Sequence, residues 1–216
     1  MADIVFKFPS NSQIDNIAAL QYLRLQTMQC EAERINLDLS SIQVFTPFTA
    51  CFLAALTDEL RNNGKKGHLI LPLRSNARNQ FDYLGVHSHF SGQSRRESMA
   101  VPTAPLVHRF EEDYDVAFTV ARLVRGTHDM SNSFFHLLTL CLKELLQNAF
   151  QHAESKSGVY LCAYAVRTRR LVRLCVMDLG IGIRRHLTRN PKYKGLTSDE
   201  SALVIAVTAG TSGVIN

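Results

Sequence analysis

The chain has 216 residues, 46% of them hydrophobic, a formal net charge of +5 and an isoelectric point near 9.1. That length fits one large or two small domains at roughly 100–200 residues each, and the apolar fraction supports a buried core. No apolar run approaches the ~20 residues of a membrane span, and the N-terminal MADIVFKFPS has no basic region followed by a long apolar stretch, so neither a spanning helix nor a secretory leader is expected.

Residues 3–8 alternate apolar and polar side chains before Pro9 and read as a first strand. Asn11 or Ser12 caps a helix over residues 13–29, with Ile14, Ile17, Ala18 and Leu25 on its apolar side. Residues 34–39, RINLDL, alternate again as a strand and end in a Ser40-Ser41 turn. Pro47 suits the first turn of a helix that runs to Arg61 and is closed by Asn63-Gly64. Residues 67–73 form a short apolar run suited to a buried strand, and residues 74–79 read as a polar loop. The order strand, helix, strand, helix, strand predicts a small α/β unit. Residues 88–105 are rich in Ser, Gly, Arg and Pro and read as a linker or an ordered loop. His87 and His89 would share a strand face, with only His68 as a third imidazole, so ordinary surface histidines are expected there and not a metal site.

Residues 111–125 form an amphipathic helix with acids at its start and Arg122 and Arg125 near its end, as the macrodipole favours. Ser131 or Asn132 caps a second, longer helix. Along it, Phe134, Leu137, Leu138, Cys141 and Leu145 share one face at about 100° per residue. Glu144, Asn148 and His152 fall on or beside that face, so a carboxylate and an amide are expected to point inward. Burying them without a partner is costly, and a metal, water or ligand would remove the cost. Residues 158–166 and 171–177 read as two strands joined around residues 167–170. The second runs into Asp178-Leu179-Gly180-Ile181-Gly182-Ile183, an acid at a strand end followed by glycines that let a ligand approach the backbone. Ser198 caps a helix over residues 198–208, followed by Gly210, Thr211, Ser212 and Gly213.

Five cysteines, Cys30, Cys51, Cys141, Cys162 and Cys175, are dispersed, odd in number and without a CxxC pair, which suggests free thiols in a reducing cytosol and a cytoplasmic protein. The basic balance fits either a solvated surface or an anionic partner such as a nucleotide or nucleic acid. Arg167, Arg169, Arg170 and Arg173 cluster on one hairpin, but no aromatic residues interleave with them to stack bases, so nucleic acid is the less favoured partner.

Glu144-x-x-x-Asn148 followed by Asp178-x-Gly180-x-Gly182 resembles the nucleotide-binding core of the GHKL superfamily, the histidine kinase-like ATPases, over residues 106–216. Residues 1–100 resemble a STAS-like domain, the fold of anti-anti-sigma regulators, on the run from INLDLSSIQVFTPFT to FDYLGV. Thr46 holds the hydroxyl nearest that family's phosphorylated position, and a docking or packing role is expected for it. The resemblance implies an α/β protein: a small STAS-like α/β unit, then an α+β two-layer sandwich of the Bergerat type. It implies ATP and magnesium as cofactors. Asn148 would ligate the metal, and Asp178 would accept a hydrogen bond from the adenine amino group. Gly180, Gly182 and Ile183 would floor the base and ribose, and Glu144 would orient or deprotonate water. His152 would line the pocket, and one of Arg184, Arg185 and Arg189 would approach phosphate. Gly210, Thr211, Ser212 and Gly213 would begin the family's second glycine-rich box, and the resemblance stops there, which implies a C-terminally incomplete domain or a site completed elsewhere. The implied activity is ATP binding, with hydrolysis driving a conformational or dimerisation switch, controlled through a homodimer or a regulatory partner at the N-terminal unit. An anti-sigma-type serine/threonine kinase and a non-catalytic interaction module with a degenerate pocket are the alternatives.

Overall fold

The computed structural model describes residues 4–9, 17–91, 103–109 and 115–208. Strand β1 (Ile4–Lys7), helix α1 (Ile17–Gln29), strand β2 (Arg34–Asp38), helix α2 (Pro47–Asn62) and strand β3 (Lys66–Ile70) build a parallel sheet in the order β1-β2-β3. Parallel neighbours need crossover connections, and α1 and α2 supply them. The alternation in β2 buries Ile35 and Leu37, paired with Ile4 and Phe6 on one side and Gly67 and Leu69 on the other. Leu20 and Leu23 of α1 join the same cluster.

Helix α2 begins where the Thr46 hydroxyl accepts from the Thr49 amide at 3.2 Å, with Pro47 preset for the first turn. It ends at Asn63, and Gly64 turns away at φ +74°. Eleven of its residues are buried, including Ala50, Cys51, Leu53, Ala54, Leu56 and Leu60. A helix apolar on all sides must be covered on all sides, and α2 is, because it packs against both sheets of the molecule.

Helices α3 (Ser75–Tyr83) and α4 (Val86–Ser91) follow. The stretch expected to be a polar loop therefore starts a helix, because Ala77 and Phe81 lie one turn apart and are buried, with Phe81 edge-on to Phe45 at 5.4 Å. His87 and His89 sit on α4 and not on a strand. Of the expected linker, residues 92–102 lie outside the described residues, and its end enters strand β4 (Thr103–Arg109).

Helix α5 (Asp115–Arg125), helix α6 (Asn132–His152), strand β5 (Val159–Val166), strand β6 (Leu171–Asp178), helix α7 (Ile183–Leu187) and helix α8 (Asp199–Ala206) follow among the described residues. Strands β4-β5-β6 form an antiparallel sheet. Successive residues of β5 serve opposite faces. Val159, Leu161 and Ala163 meet Ala117, Val120 and Ala121 of α5 and Leu142, Leu146 and Ala149 of α6. Tyr160 and Cys162 join the α2 cluster with Cys175. Both faces are covered, which is why VYLCAYAV is nearly all apolar. The protein is thus a mixed α/β fold, and among the described residues there are two small sheets and no helix long and apolar enough to cross a membrane.

The buried face of α6 corrects one expectation. Thr139, Leu142, Leu146 and Ala149 face inward, whereas Phe134, Leu137, Leu140 and Leu145 are each more than half exposed, and Glu144 and Asn148 are exposed as well. Leucines stud α6 on nearly every side, so periodicity alone picks no face. The small residues Ala117 and Ala121 of α5 and the β5 side chains select it by close packing.

Candidate functional site

The C-terminal half of α6, the end of β6, α7 and α8 enclose a cleft of about 420 Å³. Leu145, Asn148, Ala149 and His152 recur at three- and four-residue steps and share the helix side that faces it. On β6, Val176 and Asp178 are two residues apart and therefore share a sheet face, and Val176 packs with the α5–α6 cluster. Asp178 thus emerges on the same side of the sheet as Asn148, and both line the cleft. Ala153, Ile183, Leu187 and Ala206 supply further apolar wall.

The turn after Asp178 is held by its own backbone. The Gly180 amide donates to Asp178 Oδ1 at 2.9 Å, leaving the second carboxylate oxygen to a ligand. The Ile181 amide donates to the Ala153 carbonyl at 2.7 Å, and the Leu179 amide to Ser155 Oγ at 3.4 Å. A Cβ on Gly180 would lie 1.9 Å from that Ala153 oxygen, so only glycine lets the turn seat against the end of α6. Gly182 serves differently. Its φ of +77° with ψ of 161° is a conformation nearly confined to glycine, and it swings the chain into α7 with open space around its Cα.

Helix α7 brings His186 against His152, ring centroids 4.6 Å apart at 47°. His186 Nδ1 is buried with no hydrogen-bond partner among the described residues, the condition that a bound ligand or water relieves. Burial, with His152 and Arg189 nearby, holds its pKa below the ordinary 6.5 against the opposing pull of Glu154. The neutral imidazole is therefore favoured, able to donate from one nitrogen and accept at the other. Arg184 ties α7 to the start of α8 through the Thr197 carbonyl (2.7 Å) and Asp199 (3.0 Å). Arg189 clamps Glu154 with both terminal nitrogens, one at 2.7 Å. Both arginines thus have carboxylate partners, while Arg185 is exposed.

Of the residues singled out in the sequence, Asn148, His152, Asp178, Gly182 and Ile183 come together on the cleft, and Gly180 backs the turn beneath it. Glu144 is exposed and does not line the cleft. Gly210, Thr211, Ser212 and Gly213 lie outside the described residues. Sequence reasoning missed His186, Leu187 and Ala206. The signal for the first two was Ile183-x-x-His186-Leu187, a three- and four-residue spacing that a glycine start turns into one helical face. Thr46 is occupied in capping α2, with Thr49 Oγ1 also 2.9 Å from its hydroxyl. Comparison with protein-family models, with curated proteins and with solved structures returns no match for this chain.

Proposed function

We propose that the cleft binds ATP with magnesium, and that residues 106–216 form a Bergerat-type two-layer sandwich regulated through a STAS-like N-terminal unit. The observation that carries this reading is the shared cleft of Asn148 and Asp178, one from a helix and one from a strand end, on the same side of the sheet. The cleft volume lies within the ~300–1,000 Å³ typical of small-molecule sites, and apolar walls with a few convergent polar groups are the usual lining. Bound magnesium ATP would supply the phosphate charge and a transferable γ-phosphoryl group. In this assignment the Asn148 amide oxygen ligates the metal, one protein oxygen being enough for magnesium, which keeps water and phosphate oxygens around it. The second oxygen of Asp178 accepts from the adenine amino group, Gly182 and Ile183 floor the base, His152 lines the pocket, and the neutral His186 imidazole offers a donor and an acceptor atom. The exposed apolar side chains Phe134, Leu137 and Leu140 on α6 offer surface for the dimer or regulatory partner of a nucleotide switch.

Titration with a fluorescent ATP analogue, with and without magnesium, tests the assignment. Asn148→Ala should abolish the magnesium-dependent part, and Asp178→Asn should weaken binding at least tenfold, about 1.4 kcal/mol. Binding that neither substitution alters would refute it. Glu144 favours a second reading, because it is exposed and off the cleft lining. A module that binds nucleotide without turning it over would leave labelled ATP intact. Free phosphate would indicate the ATPase, and a labelled protein acceptor the kinase.

A further inference from the structure

We propose a second site, for a divalent transition-metal ion of the zinc type, formed by Asp58 of α2, His89 of α4 and His108 of β4. The three side chains each offer one ligand atom, and these atoms lie within 4.8 Å of one another. His89 Nε2 is 2.9 Å and His108 Nδ1 3.5 Å from the same oxygen, Asp58 Oδ2. Ligands bound at about 2.0–2.1 Å are separated by about 2.9 Å when at right angles and about 3.4 Å at tetrahedral corners. The two distances to Asp58 Oδ2 lie close to those two values. Two imidazole nitrogens with one carboxylate suit zinc and its first-row neighbours and not magnesium, which takes oxygen ligands. This site is chemically distinct from the nucleotide cleft and requires nothing from it.

The surroundings orient each ligand. His108 Nε2–H donates to the Ser157 carbonyl at 2.6 Å, an acceptor only, so Nε2 carries a proton and Nδ1 is the nitrogen that faces Asp58. The His108 ring stacks on Tyr160 at 4.3 Å and 9°, which holds its plane. Arg61 Nη1 holds the other oxygen, Asp58 Oδ1, at 3.0 Å, leaving Oδ2 to face the histidines. The Tyr160 hydroxyl lies 2.8 Å from both Asp58 Oδ2 and the Ser157 carbonyl, one proton for two acceptors. Two imidazole nitrogens and a carboxylate oxygen thus converge on one point, a donor set that a cation between them would bridge. Side-chain exposures of 13%, 15% and 19% leave the cluster reachable yet shielded. The ion would pin α4 and β4 to α2, where the two sheets share that helix.

The full-length chain, stripped of metal and free of nucleotide, is titrated with Zn(II) against a chromogenic chelator and with Co(II) under visible absorption. One ion per chain is expected, with cobalt d–d bands and a raised melting temperature. His89→Gln and His108→Gln should each lower affinity at least tenfold and remove the bands, while Asn148→Ala leaves both unchanged. His89 lies on a short surface helix, so its conservative variant is expected to fold, which circular dichroism checks. The wild-type cobalt spectrum is decisive on its own. Absence of the bands, or binding that neither histidine variant affects, overturns the site and leaves a proton on His108 as the cation that balances Asp58.

Discussion

Replacing Gly180 by alanine places a methyl group 1.9 Å from the Ala153 carbonyl oxygen, 2.5 Å from its carbon and 2.8 Å from the Ala153 Cβ. Two are backbone atoms and the third is a Cβ fixed to that backbone at the end of α6, so no rotamer change can move them. Real Cβ atoms essentially never come within 3.0 Å of such neighbours, so the turn must retreat by at least 3.0 − 1.9 = 1.1 Å. The hydrogen bond from Ile181 to Ala153, now 2.7 Å, would then exceed hydrogen-bonding distance. Overpacking costs about 1–3 kcal/mol and the lost bond about 0.5–1.5 kcal/mol, giving about 2–4 kcal/mol in all. Urea unfolding followed by circular dichroism reads the change as a midpoint shift of about 1–2 M at a slope of about 2 kcal/mol per M. Hydrogen exchange at the Ile181 amide should rise in parallel. A midpoint within experimental error of wild type, with that amide still protected, would refute the seating of the turn against α6.

Gly182→Ala meets no neighbour but must hold a backbone conformation that disfavours side chains, so a cost of about 1–3 kcal/mol is expected, with nucleotide affinity lost alongside it; unchanged stability by urea unfolding would count against the strain. Leu146→Ala removes a side chain 2% exposed between α6 and β5 and should cost about 2–5 kcal/mol by the same assay; a loss under about 1 kcal/mol would mean the α6 face is misassigned. His186 binds a proton less readily folded than unfolded. Its contribution to stability is therefore complete above its ordinary 6.5 and is lost as pH falls through the lower, folded value. The urea midpoint should drop from about pH 7 to about pH 5 more in wild type than in His186→Phe, and equal slopes would show that another group governs the loss. Tyr160→Phe leaves the Asp58 carboxylate with one donor fewer in a largely buried network and should cost about 1–3 kcal/mol in urea unfolding; a neutral result would mean that His89 and Arg61 already satisfy it.

The alternation in RINLD, the Pro47 start and Asn63-Gly64 stop of α2, the cap at Ser131 or Asn132, and the two apolar runs of β5 and β6 are local signals, and each marks an element that the structure contains. So did the acid-and-glycine turn at the end of β6, because a strand parity and two backbone conformations depend on a handful of adjacent residues. What lay beyond the sequence was which side of each helix is covered. Leucines ring α6, and only the packing of α5 and β5 selects Leu142 and Leu146 over Leu137 and Leu145. The apolar surround of α2 similarly declares burial but not the second sheet that provides it. Asp58, His89 and His108 stand tens of residues apart on three elements, so no spacing rule joins them, and His186 meets His152 only because α7 folds back over α6. Local conformation is a property of neighbours in the chain, whereas a shared cavity or a three-element cluster exists only once long-range packing has chosen one face of each element over its rivals.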